Sequence, residues 1–121
     1  MMKTLLLALL ASAHLLGQPA VTEELLNDAA SDFQAHQPPT PIDIRNLRLG
    51  YIPNGDGRNY LICGEFLTAA NPDWVPFSTI KTSGYEQSLG ANATALCNRP
   101  QAVWEEGHDL SVDLKAKLGL K

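Results

Sequence analysis

A chain of 121 residues, 45% hydrophobic and 18% charged, has the composition of one folded domain and excludes wholesale disorder. Nine Lys+Arg against 13 Asp+Glu give a net charge of −4. The nearest thing to a basic patch is Arg45, Arg48 and Arg58, which read as solvated strand residues, so the chain is a poor ligand for nucleic acid or anionic lipid.

The N-terminus, "MMKTLLLALLASAHLLGQPA", has one lysine, a leucine-rich apolar run and then small residues. That order predicts a signal peptide within residues 1–20, cleaved after Ala13 or after Ala20. The apolar run from Leu5 to Gly17 is shorter than the ~20 residues a spanning helix needs, so no stable membrane insertion is expected after its removal. The mature domain is then 21–121, exported to a periplasm or secreted.

"TEELLNDAASDFQAH" reads as a helix from Thr22 to His36, with Thr22 as N-cap and an apolar stripe of Leu25, Leu26, Ala29, Ala30 and Phe33. Pro38 and Pro39 stop it. "IDIRNLRL" alternates cleanly through Ile42 and Ile44, then slips at Asn46 and Leu47, which predicts a bulge or twist. "NGDG" is a hairpin turn, and "RNYLICGEFLTA" follows as a strand. Tyr60, Ile62, Gly64 and Phe66 take one of its faces; Leu61, Cys63, Glu65 and Leu67 take the other. "NPD" is read as the next turn, and "WVPFSTI" as a third strand, at an edge or bulged because Pro76 cannot donate a ladder hydrogen bond. Tyr85, Leu89, Ala93 and Leu96 are spaced for a helix from Gly84 to Cys97. In the tail, Leu110, Leu114 and Leu118 fit a helix, whereas Leu110, Val112 and Leu114 also fit a strand; the helix is favoured by the late lysines.

Cys63 and Cys97 are the two cysteines, and in an oxidising compartment they are expected to form a disulfide. The expected fold class is α+β: a short antiparallel sheet of three to four strands, packed against the N-terminal helix and the 84–97 helix, with one disulfide.

The stretch from Asp43 to Cys97 resembles a group of small uncharacterised bacterial exported proteins. The resemblance is carried by Arg45-Asn46-Leu47, the turn Asn54 to Gly57, the C-G-E strand motif Cys63-Gly64-Glu65, the aromatic strand Trp74-Val75-Pro76-Phe77 and the downstream Cys97. This chain departs from the group after C-G-E, where "FLTAANPDW" replaces an Asn-rich segment and a Gly-Tyr pair. The resemblance covers about half of the chain, implies a fold and a disulfide, and implies no particular activity.

Chemistry is thinly signposted. Cys63 and Glu65 share a strand face, but a catalytic thiol needs a thiolate, and an exported pair of cysteines oxidises first. Glu65 is expected to accept hydrogen bonds from backbone or from Arg45 or Arg48 on the facing strand. Asn54, Asp56 and Glu65 mimic a calcium loop until Arg58 takes the fifth position and Asn59 the sixth, where glycine is needed. His36 and His108 lack metal-ligand spacing, and no nucleophile elbow or phosphate loop occurs. Asn92-Ala93-Thr94 matches a glycosylation sequon inside a predicted helix. No metal or cofactor is expected. Trp74, Phe77, Glu65 and Arg45 are the expected partner-binding residues, because an aromatic beside an open sheet edge is a usable protein contact. The favoured role is therefore non-catalytic, binding another protein as an inhibitor or immunity-type factor. The alternatives are a small hydrolase or thiol enzyme built around Cys63, and a structural envelope component.

Overall fold

The computed structural model describes residues 20–35 and 40–120. The expected signal segment through residue 19, together with His36, Pro38 and Pro39, lies outside the described residues. The elements, in order, are α1 (Ala20–Ala35), β1 (Pro41–Asn54), β2 (Gly57–Thr68), β3 (Asn71–Lys81), β4 (Tyr85–Leu89), α2 (Ala91–Cys97), β5 (Val103–Trp104) and α3 (Ser111–Lys117). The strands form one antiparallel sheet in the order β4-β3-β2-β1-β5. The expected α+β class is found, with five strands rather than three or four.

The apolar stripe of α1 is buried as the sequence predicts, with Leu25, Leu26, Ala29, Ala30 and Phe33 all inside. It covers one sheet face through Ile44, Leu47, Leu49, Ile62, Phe66 and Phe77, and it meets Leu110 and Leu114 of the tail. Phe33 is the hub of that layer, its ring centroid 5.0 Å from both Phe66 and Phe77. Thr22 is not the N-cap. The described helix already includes Ala20 and Val21, so Thr22 sits inside it, buried, with an unpartnered hydroxyl.

The opposite face carries Ile52, Leu61, Cys63 and Ile80, packed against Leu96, Cys97, Ala102 and Trp104. β2 lies in the middle of the sheet and is buried on both faces, which is why "LIC" at 61–63 is continuously apolar instead of alternating.

β1 and β2 join through a two-residue loop, with Asn54 facing Gly57 and Gly55 taking φ 59°. The irregularity expected at Asn46 and Leu47 is a true bulge. Arg45 pairs with Glu65 and Arg48 with Cys63, so Asn46 and Leu47 together oppose the single residue Gly64. Asn46 adopts φ 58°, a conformation asparagine tolerates better than most residues. The bulge presses into β2: a Cβ on Gly64 would lie 2.9 Å from Leu47 Cδ1 and 3.1 Å from Leu47 Cα.

Because the bulge interrupts the ladder, the main chain of Leu47 needs other partners, and the tail supplies them. Leu47 N–H donates to Asp109 Oδ1 at 3.2 Å and to Ser111 Oγ at 3.1 Å, while Leu110 N–H donates to Leu47 O at 2.8 Å. Asp109 also accepts from Ser111 N–H at 2.9 Å. Burial pushes the Asp109 carboxyl up, but these hydrogen bonds and nearby His108 outweigh it and hold the group below the usual carboxylate range.

Two segments differ from expectation. The turn between β2 and β3 is Ala69-Ala70, with Thr68 facing Asn71, so "NPD" opens β3 and is absorbed by a register shift between Phe66 and Thr68. The 84–97 helix is a strand followed by a helix. Tyr85–Leu89 pairs with Phe77–Lys81, and only Ala91–Cys97 is helical. The spacing of Tyr85 and Leu89 is satisfied either way; the open edge of β3 decides, because a strand there completes its ladder. Gly90, at φ 66°, is the hinge that turns strand into helix, and its N–H donates to Pro76 O at 2.8 Å. Tyr85 then faces α1, where its hydroxyl donates to Glu24, and this bond pushes its pKa up to about 12. β3 is an interior strand over Phe77–Lys81, but, as expected from Pro76, its first half is both bulged against β2 and, among the described residues, without a strand on the β4 side. In the tail the favoured helix forms as α3, and Val112 is exposed rather than alternating inward.

Two outcomes follow from the bulge. Gly64→Ala is expected to lower stability by about 1–3 kcal/mol through overpacking against Leu47. Gly84→Ala, whose Cβ would meet nothing within 4 Å, should change it by less than about 0.5 kcal/mol; urea unfolding midpoints of the two variants compare them directly. Asp109 binds its proton more weakly folded than unfolded, so its stabilisation is present above the unfolded pKa and is lost as pH falls through the lower folded value. Asp109→Asn should therefore flatten the loss of stability below about pH 4, seen as a shallower acid limb in melting temperature against pH.

Candidate functional site

The face opposite α1 gathers most residues of the C-G-E neighbourhood. Cys63, near the centre of β2, is bridged to Cys97 at the end of α2, with Cα atoms 6.2 Å apart. Both cysteines of the chain are thereby used, and Cys63 has no thiol to offer in this state. α2 is seven residues long, too short to persist alone. The disulfide and the buried Ala93 hold it on the sheet.

Glu65 accepts from Arg45 Nε at 2.8 Å and from Asn46 Nδ2 at 3.2 Å, both at the same carboxylate oxygen. One carboxylate thus ties together the two residues that lead into the bulge. Its side chain and that of Arg45 are 31% and 46% exposed, which keeps the ion pair's own contribution below about 1 kcal/mol. The Arg45 guanidinium also lies over the Trp74 ring, 4.1 Å from its centroid. Strand register explains the trio: Glu65 faces Arg45 on one side and Pro76 on the other, and Trp74 is two residues from Pro76 on β3. Trp74 is half-buried at the end of the sheet, stacked on an arginine already paired to Glu65.

Phe77 does not belong with them. It points to the other face, wholly buried between Phe33 and Phe66, because alternation from Pro76 sends it under α1. Phe77 is therefore a core residue and presents no surface to a partner.

Along β1, Arg48 repeats the motif with a different aromatic. Its guanidinium lies 3.8 Å from the centroid of Trp104. Trp104 can lie there because Gly50 faces it; a Cβ on Gly50 would come within 2.4 Å of the indole. Unlike Arg45, Arg48 has no carboxylate partner among the described residues. Between β1, β2 and α2 opens a cleft of about 390 Å3, bordered by Asn46, Arg48, Glu65, the disulfide, Thr94 and Asn98. Among the described residues no group of three or more His, Cys, Asp or Glu could hold a metal ion, and His108 pairs with Asp113 at 3.4 Å.

Sequence reasoning brings Cys63, Cys97, Arg45, Glu65 and Trp74 to this face. It misses Trp104 and Asn98, which lie in a segment without local periodicity and arrive only through β5 and the end of α2. The one available hint for Trp104 is Gly50, a glycine within a strand pattern that marks close approach of another group. Comparison of the chain with known protein families, with curated proteins and with solved structures returns no match.

Reduction of the disulfide, or the double substitution of Cys63 and Cys97 by serine, should cost roughly 3–4 kcal/mol from loop-closure entropy. Glu65→Gln, which breaks only an exposed ion pair, should cost less than about 1 kcal/mol. Guanidinium unfolding of the three proteins ranks these effects, and native thiol alkylation should label neither cysteine before reduction.

Proposed function

We propose that the chain is an exported, non-catalytic binding protein, periplasmic or secreted, of the inhibitor or immunity type. Its contact surface is the first half of β3 together with Trp74, Arg45 and Glu65, and the occupant is an extended strand of another exported protein. One observation carries this reading. The β3–β4 ladder ends at Phe77 and Leu89, so among the described residues Asn71 and Val75 pair with β2 only, and the register shift leaves Pro72, Asp73 and Trp74 without a strand partner. Pro72 has no N–H and the Asp73 N–H donates to Asn71 Oδ1 at 3.0 Å, so the main chain of Trp74 is what remains for an added strand, with its indole beside it as an anchor of the kind that dominates interface energetics. The Arg45 stack holds the indole in place, which reduces the ordering cost of binding.

Export is supported by the apolar N-terminal sequence, by the Cys63–Cys97 disulfide and by the resemblance of Asp43–Cys97 to small exported proteins. The Cys63–Cys97 bridge supports the non-catalytic reading over the thiol-enzyme alternative, since a disulfide sulfur is not a thiolate nucleophile.

Expression of the tagged full chain in an exporting host, followed by recovery of the exported fraction, should yield one stoichiometric partner. Trp74→Ala should weaken that partner's retention by at least about tenfold, a typical anchor loss. Val112→Ala, a change at an exposed α3 residue, should leave it unchanged. Recovery of the protein without a partner, or equal retention by Trp74→Ala, overturns the proposal; a homodimer on light scattering would replace the partner with a second copy.

A further inference from the structure

The geometry points to a second site on the same face, independent of partner contact at Trp74: the cleft between β1, β2 and α2 binds a small monocarboxylate, anchored by Arg48. In an acidic chain of net charge −4, the Arg48 guanidinium is a cation without a carboxylate partner among the described residues, and it stands at the mouth of a cleft. Trp104 supports one flat face of it at 3.8 Å. A stacked guanidinium keeps its in-plane N–H donors free, and those donors match a carboxylate in a two-pronged fashion.

The surroundings narrow the ligand further. Asn46 and Asn98 border the cleft with amide groups that can donate to a bound oxygen. Asn46 is held in its unusual conformation by the bulge and hydrogen-bonds Glu65, so its position is set before any ligand arrives. Residues kept in such conformations and at bulges are concentrated at functional sites. Pro76 and the disulfide provide an apolar wall, and about 390 Å3 falls in the range of small-molecule pockets. Glu65 also borders the space. Its charge is matched by Arg45, leaving one net positive charge. That balance favours a monoanion over phosphate, whose second charge Glu65 would oppose. The class is therefore a compact carboxylic acid with an apolar body, or the terminal carboxylate of a short peptide.

The test uses the oxidised protein and follows side-chain N–H signals of Arg48, Asn46 and Asn98 by NMR during titration with benzoate, benzamide, inorganic phosphate, tri-alanine and tri-alanine amide. Saturable shifts at these three residues are expected with benzoate and tri-alanine and not with either amide. Whichever of the two carboxylates binds more tightly identifies the source, a free acid or a peptide end. Arg48→Gln should weaken binding by roughly tenfold or more, the worth of a charge-assisted hydrogen bond. Arg48→Lys, which retains charge but not the planar fork, should weaken it less, and serves alone if the glutamine variant loses its dispersed spectrum. Equal binding of benzamide, phosphate in preference to benzoate, absence of saturable shifts, or undiminished affinity in the arginine variants overturns the assignment.

Discussion

The contact of the β1 bulge with Gly64 is the constraint on which the rest of the structure depends. Two residues, Asn46 and Leu47, occupy the length of one on the facing strand, and Leu47 is seated only because Gly64 has no side chain. The displaced main chain of Leu47 then recruits Asp109, Leu110 and Ser111, which draws the tail across β1 and starts α3 beside α1. The same bulge aims Asn46 at Glu65. The three residues of C-G-E thus have separate physical tasks. Cys63 ties β2 to α2, Gly64 admits the bulge, and Glu65 holds the residues that enter it.

The two faces of the sheet are built by different means. Under α1 the core is a continuous apolar layer with three phenylalanines in edge or tilted contact, the kind of packing that supplies most of a small domain's stability. The other face has a smaller cluster, a seven-residue helix and a covalent bridge. A helix so short cannot bury enough to hold itself in place, and the disulfide compensates for that. The consequence for function is space. Where α2 ends, the sheet keeps an open cleft and a strand edge, both within reach of arginine–tryptophan stacks.

Arg45 and Arg48 show how register divides similar residues between tasks. Both stack on tryptophan and both face the disulfide side, since the extra residue of the bulge returns Arg48 to the face that Arg45 occupies. Without the bulge, three residues of separation would place them on opposite faces. Arg45 is neutralised by Glu65, whereas Arg48, beside the cleft, has no carboxylate partner among the described residues.

Much of this was legible in the chain itself. The stripe of α1, the Asn-Gly-Asp-Gly hairpin, the two faces of β2, the slip at Asn46–Leu47 and the disulfide all follow from patterns that local chemistry enforces: periodicity, turn residues and the number of cysteines. What the sequence could not decide is wherever one pattern satisfies two structures. Tyr85 and Leu89 fit a helix or a strand, and the unpaired edge of β3 chose the strand. Alternation puts Phe77 on the face opposite Pro76, and the packing of α1 on that face is what buries it. Trp104 and Asn98 reach the Arg48 cleft through contacts between segments far apart in sequence, which no local period records. Local hydrogen-bonding and apolar patterns determined the elements; competition among distant backbone groups and side-chain volumes determined which of them meet.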